Sequence, residues 1–222
     1  MENVFSIIWG ALPYILGGTL NTALLVVGAM GLGLMLGVPM AVGQVYGSRP
    51  VRRLVRLYVW FFRGVPILVQ LFLFYYGLFS LTGINLSAFM AAIIVLGLTS
   101  TAYQSQIFRG AIQSLSAGQL KAARALGMSD FTAITTIILP QALRLAIPGW
   151  SNEYSILLKD SALAFVIGVT EIMARTHFVA TRTFEHLGLY ILAGAIYFVL
   201  TLFGVKALRL LERKLRVAGF TQ

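Results

Sequence analysis

The chain is organised as long apolar runs with its charges confined to the gaps between them. Several of these runs exceed the ~18–20 residues that a helix needs to cross a hydrocarbon core. In lipid the backbone must satisfy its own hydrogen bonds, so a spanning run of this length folds as a helix. A β-barrel would instead alternate polar and apolar residues over segments of ~10, which this sequence does not do. Only 11% of the residues are charged, against roughly 25% in a soluble domain. The expectation is an all-α, multi-pass membrane protein.

A net charge of +10 invites a nucleic-acid reading, but the basic residues sit between apolar segments. That pattern belongs to a membrane protein's loops, so no nucleic-acid partner is expected. The absence of cysteine rules out disulfides and thiolate metal sites. His177 and His186 lack the company of further ligands, so no metal site is expected. Met1 to Gly10 has no basic start and carries Glu2, which predicts no cleavable signal peptide.

Five spans are expected, at approximately 13–44, 54–81, 86–109, 142–169 and 187–211, in one membrane domain covering 1–222. Pro13 suits the start of the first. Gly28, Gly31, Gly33 and Gly37 give that span a small face for close helix packing. Pro148 and the Lys159-Asp160 pair interrupt the fourth, which is either one kinked span or a span plus a half-helix. No internal repeat or low-complexity linker is visible.

The basic loops orient the bundle. Arg49, Arg52, Arg53 and Arg56 fill the first loop, Arg109, Lys121, Arg124 and Arg144 the third, and Arg209, Arg213, Lys214 and Arg216 the tail. Thr82 to Asn85 has no charge, and the fourth loop mixes Glu171, Arg175, Arg182 and Glu185. The expected topology puts the N-terminus outside and the C-terminus in the cytoplasm.

The third loop, 115–140, holds an element that a simple span does not need. Ser116 with Gln119 fits a capping box, Ala122, Ala123, Ala125 and Leu126 favour helix, and Gly127 suits a helix stop. Ser129 or Asp130 then caps a second short helix, expected to end before Pro140. One reading is an ordinary interfacial amphipathic helix. The other is a docking knob formed by Gln119, Lys121, Ala122, Ala123, Arg124, Ala125, Leu126 and Gly127. In it the alanines admit a partner close to the backbone, and Lys121 and Arg124 give polar rim contacts.

Ala122-Ala123, Gly127 and Ile138-Leu139-Pro140 resemble the cytoplasmic coupling loop of permease subunits in ATP-binding-cassette importers. Lys121 stands where that loop usually has glutamate. The resemblance is closer to the permeases for polar amino acids of the histidine, arginine and glutamine type. It rests on Arg63-Gly64-Val65-Pro66, Leu68 to Phe72 and Tyr75-Tyr76-Gly77, and on Ala102-Tyr103 and Ile107 to Ile112. It continues through Leu139 to Arg144, Pro148, Asn152 and Leu158 to Ser161. Gln106 departs from a common glutamate, and Ser116 from a common proline. The resemblance implies a type I importer permease fold with five transmembrane helices and a cytoplasmic coupling helix. It implies a bacterial plasma-membrane location and pairing with a second permease, identical or homologous. It implies a cytoplasmic ATPase dimer that binds ATP and magnesium, and an external amino-acid-binding protein. This chain has no Gly-x-x-x-x-Gly-Lys-Ser/Thr phosphate loop, so it is not expected to be an enzyme or to hold a cofactor itself.

Ionisable groups inside spans mark transport paths by default. Glu153 is the main candidate, because an unpaired carboxylate at that depth is costly. Either it pairs with Lys159 or Arg144, or is protonated, or it faces a cavity and binds a cationic substrate group. Asn152 either contacts substrate or satisfies backbone freed by Pro148. Gln70 either lines the path or hydrogen-bonds a neighbouring helix. Asp160 either contributes to the path or neutralises Lys159 at a helix break. Arg63 suits the inner interface, where it can snorkel, and Tyr75-Tyr76 an outer aromatic belt. The expected cargo is a polar, basic amino acid, the alternative a neutral or acidic one such as glutamine or glutamate. An ion-coupled secondary transporter would need inverted repeats and further intramembrane acids.

Overall fold

The computed structural model describes residues 4–79, 81–83 and 86–215, and every regular element among them is helical. Glu2, Asn85 and Arg216, used in the sequence reading, lie outside the described residues. The helices are α1 (Val4–Leu16), α2 (Thr19–Tyr46), α3 (Arg49–Gly64), α4 (Ile67–Phe72), α5 (Ala88–Ser114), α6 (Gly118–Ala125), α7 (Asp130–Ala133), α8 (Leu139–Leu145), α9 (Ile147–Asp160), α10 (Ile172–Thr183) and α11 (His186–Lys214). Helices α2, α5 and α11 are long and apolar enough to cross a membrane alone. The count reaches five when each of two bent pairs forms one span.

The axis of the fold is α2 against α5. Small residues on α2 permit it: a Cβ on Gly37 would lie 3.2 Å from the Gln104 Cβ, and one on Gly28 3.1 Å from Ile93. Gly31, expected on the same face, meets nothing within 4 Å. Along its apolar window α5 is 61% buried, whereas α11 is 11% buried.

The first predicted span is corrected. Pro13 does not start a helix but lies inside α1, which ends at Leu16. The chain breaks at Gly17-Gly18 because α10 approaches there: a Cβ on Gly18 would stand 2.7 Å from the Glu171 carbonyl carbon and the Ile172 nitrogen.

The second span, read as one run over 54–81, is bent by 105° between Arg49–Gly64 and Ile67–Leu78. Pro66 pushes the preceding residue out of helical space, and Val65 is extended at φ −94°, ψ 131°. Helix α3 starts at Arg49, earlier than expected, and its arginines at 49, 52, 53 and 56 share one face. Beyond α4 the chain widens into a π-helical stretch, Leu73–Phe79.

The fourth segment bends by 54° between Asp130–Leu145 and Ile147–Ile167. The break falls at Ala146, as expected close to Pro148, which sits in the first turn of α9, where its missing N–H costs nothing. The chain remains α-helical through Lys159 and Asp160, then narrows to a 3₁₀ stretch, Ser161–Ile167. Pro140 does not end the preceding helix. A π-helical turn, Ile134–Ile138, precedes it and leads directly into α8. The wider turn accommodates a ring that would collide with an α-helical carbonyl one turn back.

Candidate functional site: a coupling knob and a buried polar relay

The knob is built by local chemistry. Gly127 adopts the left-handed conformation at φ +78°. The Gly127 N–H donates to the Arg124 carbonyl at 3.0 Å and the Met128 N–H to the Ala123 carbonyl at 3.0 Å, a Schellman ending for α6. Ser129 then caps α7 by accepting from the Thr132 N–H at 3.2 Å. Across the turn the Arg124 guanidinium grips the Asp130 carboxylate in a two-pronged pair, with Nε to Oδ1 at 2.7 Å and Nη2 to Oδ2 at 2.8 Å. That guanidinium hydrogen bond holds the Asp130 carboxyl below its usual range.

Several expectations for this loop change. Ser116 and Gln119 do not form a capping box: the Ser116 hydroxyl accepts from the Gly118 N–H at 3.2 Å. Gln119 instead exchanges amide hydrogen bonds with Gln141 of α8, each 3.1 Å, so it ties the knob to the bundle rather than facing outward. Ala123 is only 2% exposed and packs inward, not on a docking face. Arg124 is engaged by Asp130 rather than free at a rim. The outward surface includes Lys121, Ala122, Ala125, Leu126 and Phe131. Leu126 is 82% and Phe131 77% exposed.

The interior site lies where α2, α5 and α9 meet. Glu153 is 3% exposed and accepts from the Ser100 hydroxyl through Oε1 at 2.7 Å. Gln104 Nε2 donates to Ser100 Oγ at 3.0 Å and to the Met30 carbonyl at 3.1 Å. Gln104 Oε1 accepts from Trp150 Nε1 at 2.8 Å. An indole can only donate, so Trp150 fixes which end of the Gln104 amide faces it. The amide's NH₂ then takes a lone pair of Ser100, and the Ser100 hydrogen is directed at Glu153. Trp150 and Glu153, one turn apart on α9, therefore bracket a one-way relay through α5. None of the ion pairs considered from sequence for Glu153 forms among the described residues.

The other sequence candidates are dispersed. Gln70 is fully buried and donates from Nε2 to the Phe62 carbonyl at 2.9 Å and the Val65 carbonyl at 2.8 Å. Its Oε1 accepts from Thr99 at 2.7 Å. The bend before α4 takes the NH₂ end and Thr99 of α5 the oxygen end, so in this conformation both ends of the Gln70 amide are engaged. Asn152 is exposed and lines a hollow of about 330 Å³ with Pro148, Ser151, Ser155, Val205, Arg209 and Glu212, on the opposite side of α9 from the relay. Asp160 makes no side-chain cap bond at the start of the 3₁₀ stretch. Arg63 lies over the Tyr103 ring at 4.9 Å.

Sequence reasoning missed Ser100 and Gln104, whose signal was a polar pair four apart within an apolar helix. It also placed Glu171 in a loop. Glu171 is completely buried and caps α10, accepting from Met173 N–H through Oε2 at 2.8 Å and Ala174 N–H through Oε1 at 2.6 Å, with Tyr197 also donating to Oε2. A carboxylate at a helix N-terminus satisfies orphan donors and meets the positive end of the dipole.

A bundle of bent and straight apolar helices with a short polar knob is the architecture of a transport permease. The chain belongs to the family of inner membrane components of binding-protein-dependent transport systems, which matches residues 31–217. It is 36% identical over 205 residues to the arginine transport system permease protein ArtQ of Bacillus subtilis, covering 92% of this chain and 94% of that one. To the histidine/lysine/arginine/ornithine transport system permease protein HisM of Salmonella typhimurium it is 33% identical over 206 residues, 89% of this chain and 88% of that one. Among solved structures it is similar to an amino acid ABC transporter crystallised with histidines. The TM-score is 0.84 at 34% identity, over 96% of this chain and 99% of the other.

Proposed function

We propose that this chain is the permease half of an ATP-driven importer for basic amino acids, coupled to a separate cytoplasmic ATPase through the α6–α7 knob. The observation that carries the coupling is the pair of apolar side chains, Leu126 and Phe131, presented outward on a turn held rigid by Gly127 and the Arg124–Asp130 pair. Exposed apolar side chains on an ordered scaffold suit a partner's pocket. The excess of lysine and arginine in the loops supports a cytoplasmic side for this knob and for the C-terminus. A second permease closes the path, an external binding protein delivers the cargo, and ATP and magnesium belong to the ATPase.

The cargo class rests on Glu153 and on the similarity to permeases named for arginine and histidine. A carboxylate ending a relay of donors is poised to exchange its hydroxyl partner for the ammonium or guanidinium of a substrate. Asn152 and Asp160 are secondary candidates for the path.

The test is Leu126→Asp, which places a charge in the contact and leaves the spans untouched. The expected result is normal membrane insertion with loss of ATPase copurification and of ATP-driven uptake. Full uptake by this variant would remove the knob from energy coupling.

A further inference from the structure

Where the ends of α2 and α5 meet the start of α3 lies a hollow of about 470 Å³ lined by Gln44, Val45, Arg49, Arg52, Arg53, Arg56, Arg109 and Gln113. Five of these eight residues are arginines and no carboxylate is among them. Such a concentration of like charge focuses a positive field that attracts an anion. We infer that the hollow is a binding site for the phosphate headgroup of an anionic phospholipid, a role separate from the transport reading above.

Gln44 supplies the second observation. It is 9% exposed, and its amide nitrogen is buried without a hydrogen-bond partner. The orientation of that amide follows from its neighbours. Arg109 Nη1 donates to Gln106 Oε1 at 3.2 Å, and a guanidinium cannot accept. The Gln106 NH₂ group therefore points the other way and donates to Gln44 Oε1 at 3.1 Å. The free end of Gln44 is thus an unpartnered N–H donor on a residue that lines the hollow with the arginines, and phosphate oxygens are bound by such N–H and guanidinium donors.

The lipid, rather than a soluble anion, follows from what continues the arginine face. Arg49, Arg53, Arg56 and Trp60 follow one another at helical spacing along α3, and Trp60 is 73% exposed. Beside it Leu57 is also exposed. A headgroup on the arginines would lay its acyl chains along Trp60 and Leu57, and tryptophan favours that depth of a bilayer. Basic pockets between membrane helices suit anionic headgroups for the same reason.

The test is native mass spectrometry of the permease purified with its ATPase partner, with dioleoylphosphatidylglycerol and dioleoylphosphatidylcholine added in turn. Phosphatidylglycerol is expected to be retained and phosphatidylcholine lost. The double substitution Arg53→Gln with Arg109→Gln should weaken retention by about thirtyfold, and Gln44→Met, which keeps all five charges, by several-fold. Arg182→Gln, on α10, should have no effect. Equal retention of both lipids, or unchanged retention in the double variant, would overturn the site. Displacement of the lipid by millimolar inorganic phosphate would make it a soluble-anion site and overturn the lipid assignment. Loss of the ATPase with lipid retention intact would give the arginines to the protein partner instead.

Discussion

Arg124 and Asp130 form a bidentate ion pair across the left-handed residue Gly127, although both side chains are more than half exposed. An isolated exposed pair contributes little to stability. Here its effect is geometric, because it fixes the angle between α6 and α7 and hence the separation of Leu126 from Phe131.

The pH response of this turn follows from the lowered Asp130 carboxyl. A depressed carboxylate contributes order that is complete above its unfolded value, about 3.9, and is lost as pH falls from there through the lowered folded value. Hydrogen-exchange protection of the Gly127 and Met128 amides should therefore be flat from about pH 8 to 5 once the intrinsic exchange rate is divided out, and fall only below about 3.9. In Asp130→Asn the protection should be reduced throughout. A loss centred near neutrality would show that another group controls the turn.

Gln70→Leu separates a structural from a substrate role. The change leaves the carbonyls of Phe62 and Val65 and the Thr99 hydroxyl without their amide partner. Each group left unpaired costs roughly 1–3 kcal/mol. The thermal unfolding midpoint in detergent should drop, while the apparent affinity for amino acid in the surviving folded fraction stays at its original value. A weakened affinity with an unchanged midpoint would return Gln70 to the transport path.

Glu153→Gln tests the cargo class. The substitution keeps the size of the side chain and removes the charge that receives the Ser100 hydroxyl. Charge-assisted hydrogen bonds contribute about 1.5–3 kcal/mol, so uptake of arginine, lysine or histidine should fall by roughly ten- to hundredfold. Glutamine uptake should change far less. Equal loss for every substrate would make Glu153 a packing element of the relay, and no change at all would take it out of the path.

Single cysteines test the orientation, since the chain has none. Leu81→Cys and Lys121→Cys both place a thiol at an exposed position. An impermeant thiol reagent applied to intact cells should label position 81 and spare position 121. The reverse pattern would place the knob outside and end its coupling role.

The sequence was most informative where structure is local. The Gly127 stop and the Ser129 cap were legible because each is decided within a few residues. The capping box failed for the opposite reason: Gln119 had a better partner 22 positions away in Gln141. Pro13 misled because a proline is tolerated in a helix, whereas the break at Gly17-Gly18 is set by α10, which arrives more than 150 residues later. Glu171 read as one charge in a mixed loop, and only the fold makes it the buried cap of α10. Glu153 stood out because it is ionisable. The neutral groups that orient it, Ser100 and Gln104, carried no comparable signal.

The contrast between α5, 61% buried, and α11, 11% buried, bears on how such a chain can diverge over generations. The outer face of α11 has only to remain oily, so leucine, isoleucine, valine and phenylalanine are interchangeable there as far as lipid is concerned. Along α5 each position answers to a particular neighbour: a methyl group on Gly33 of α2 would strike the Gln104 amide. Drift should therefore accumulate on the rind and stall along the axle. Only the outer face of α11 is free in this way: its inner face keeps Tyr197 for the buried Glu171 and Gly204 against the Tyr154 ring.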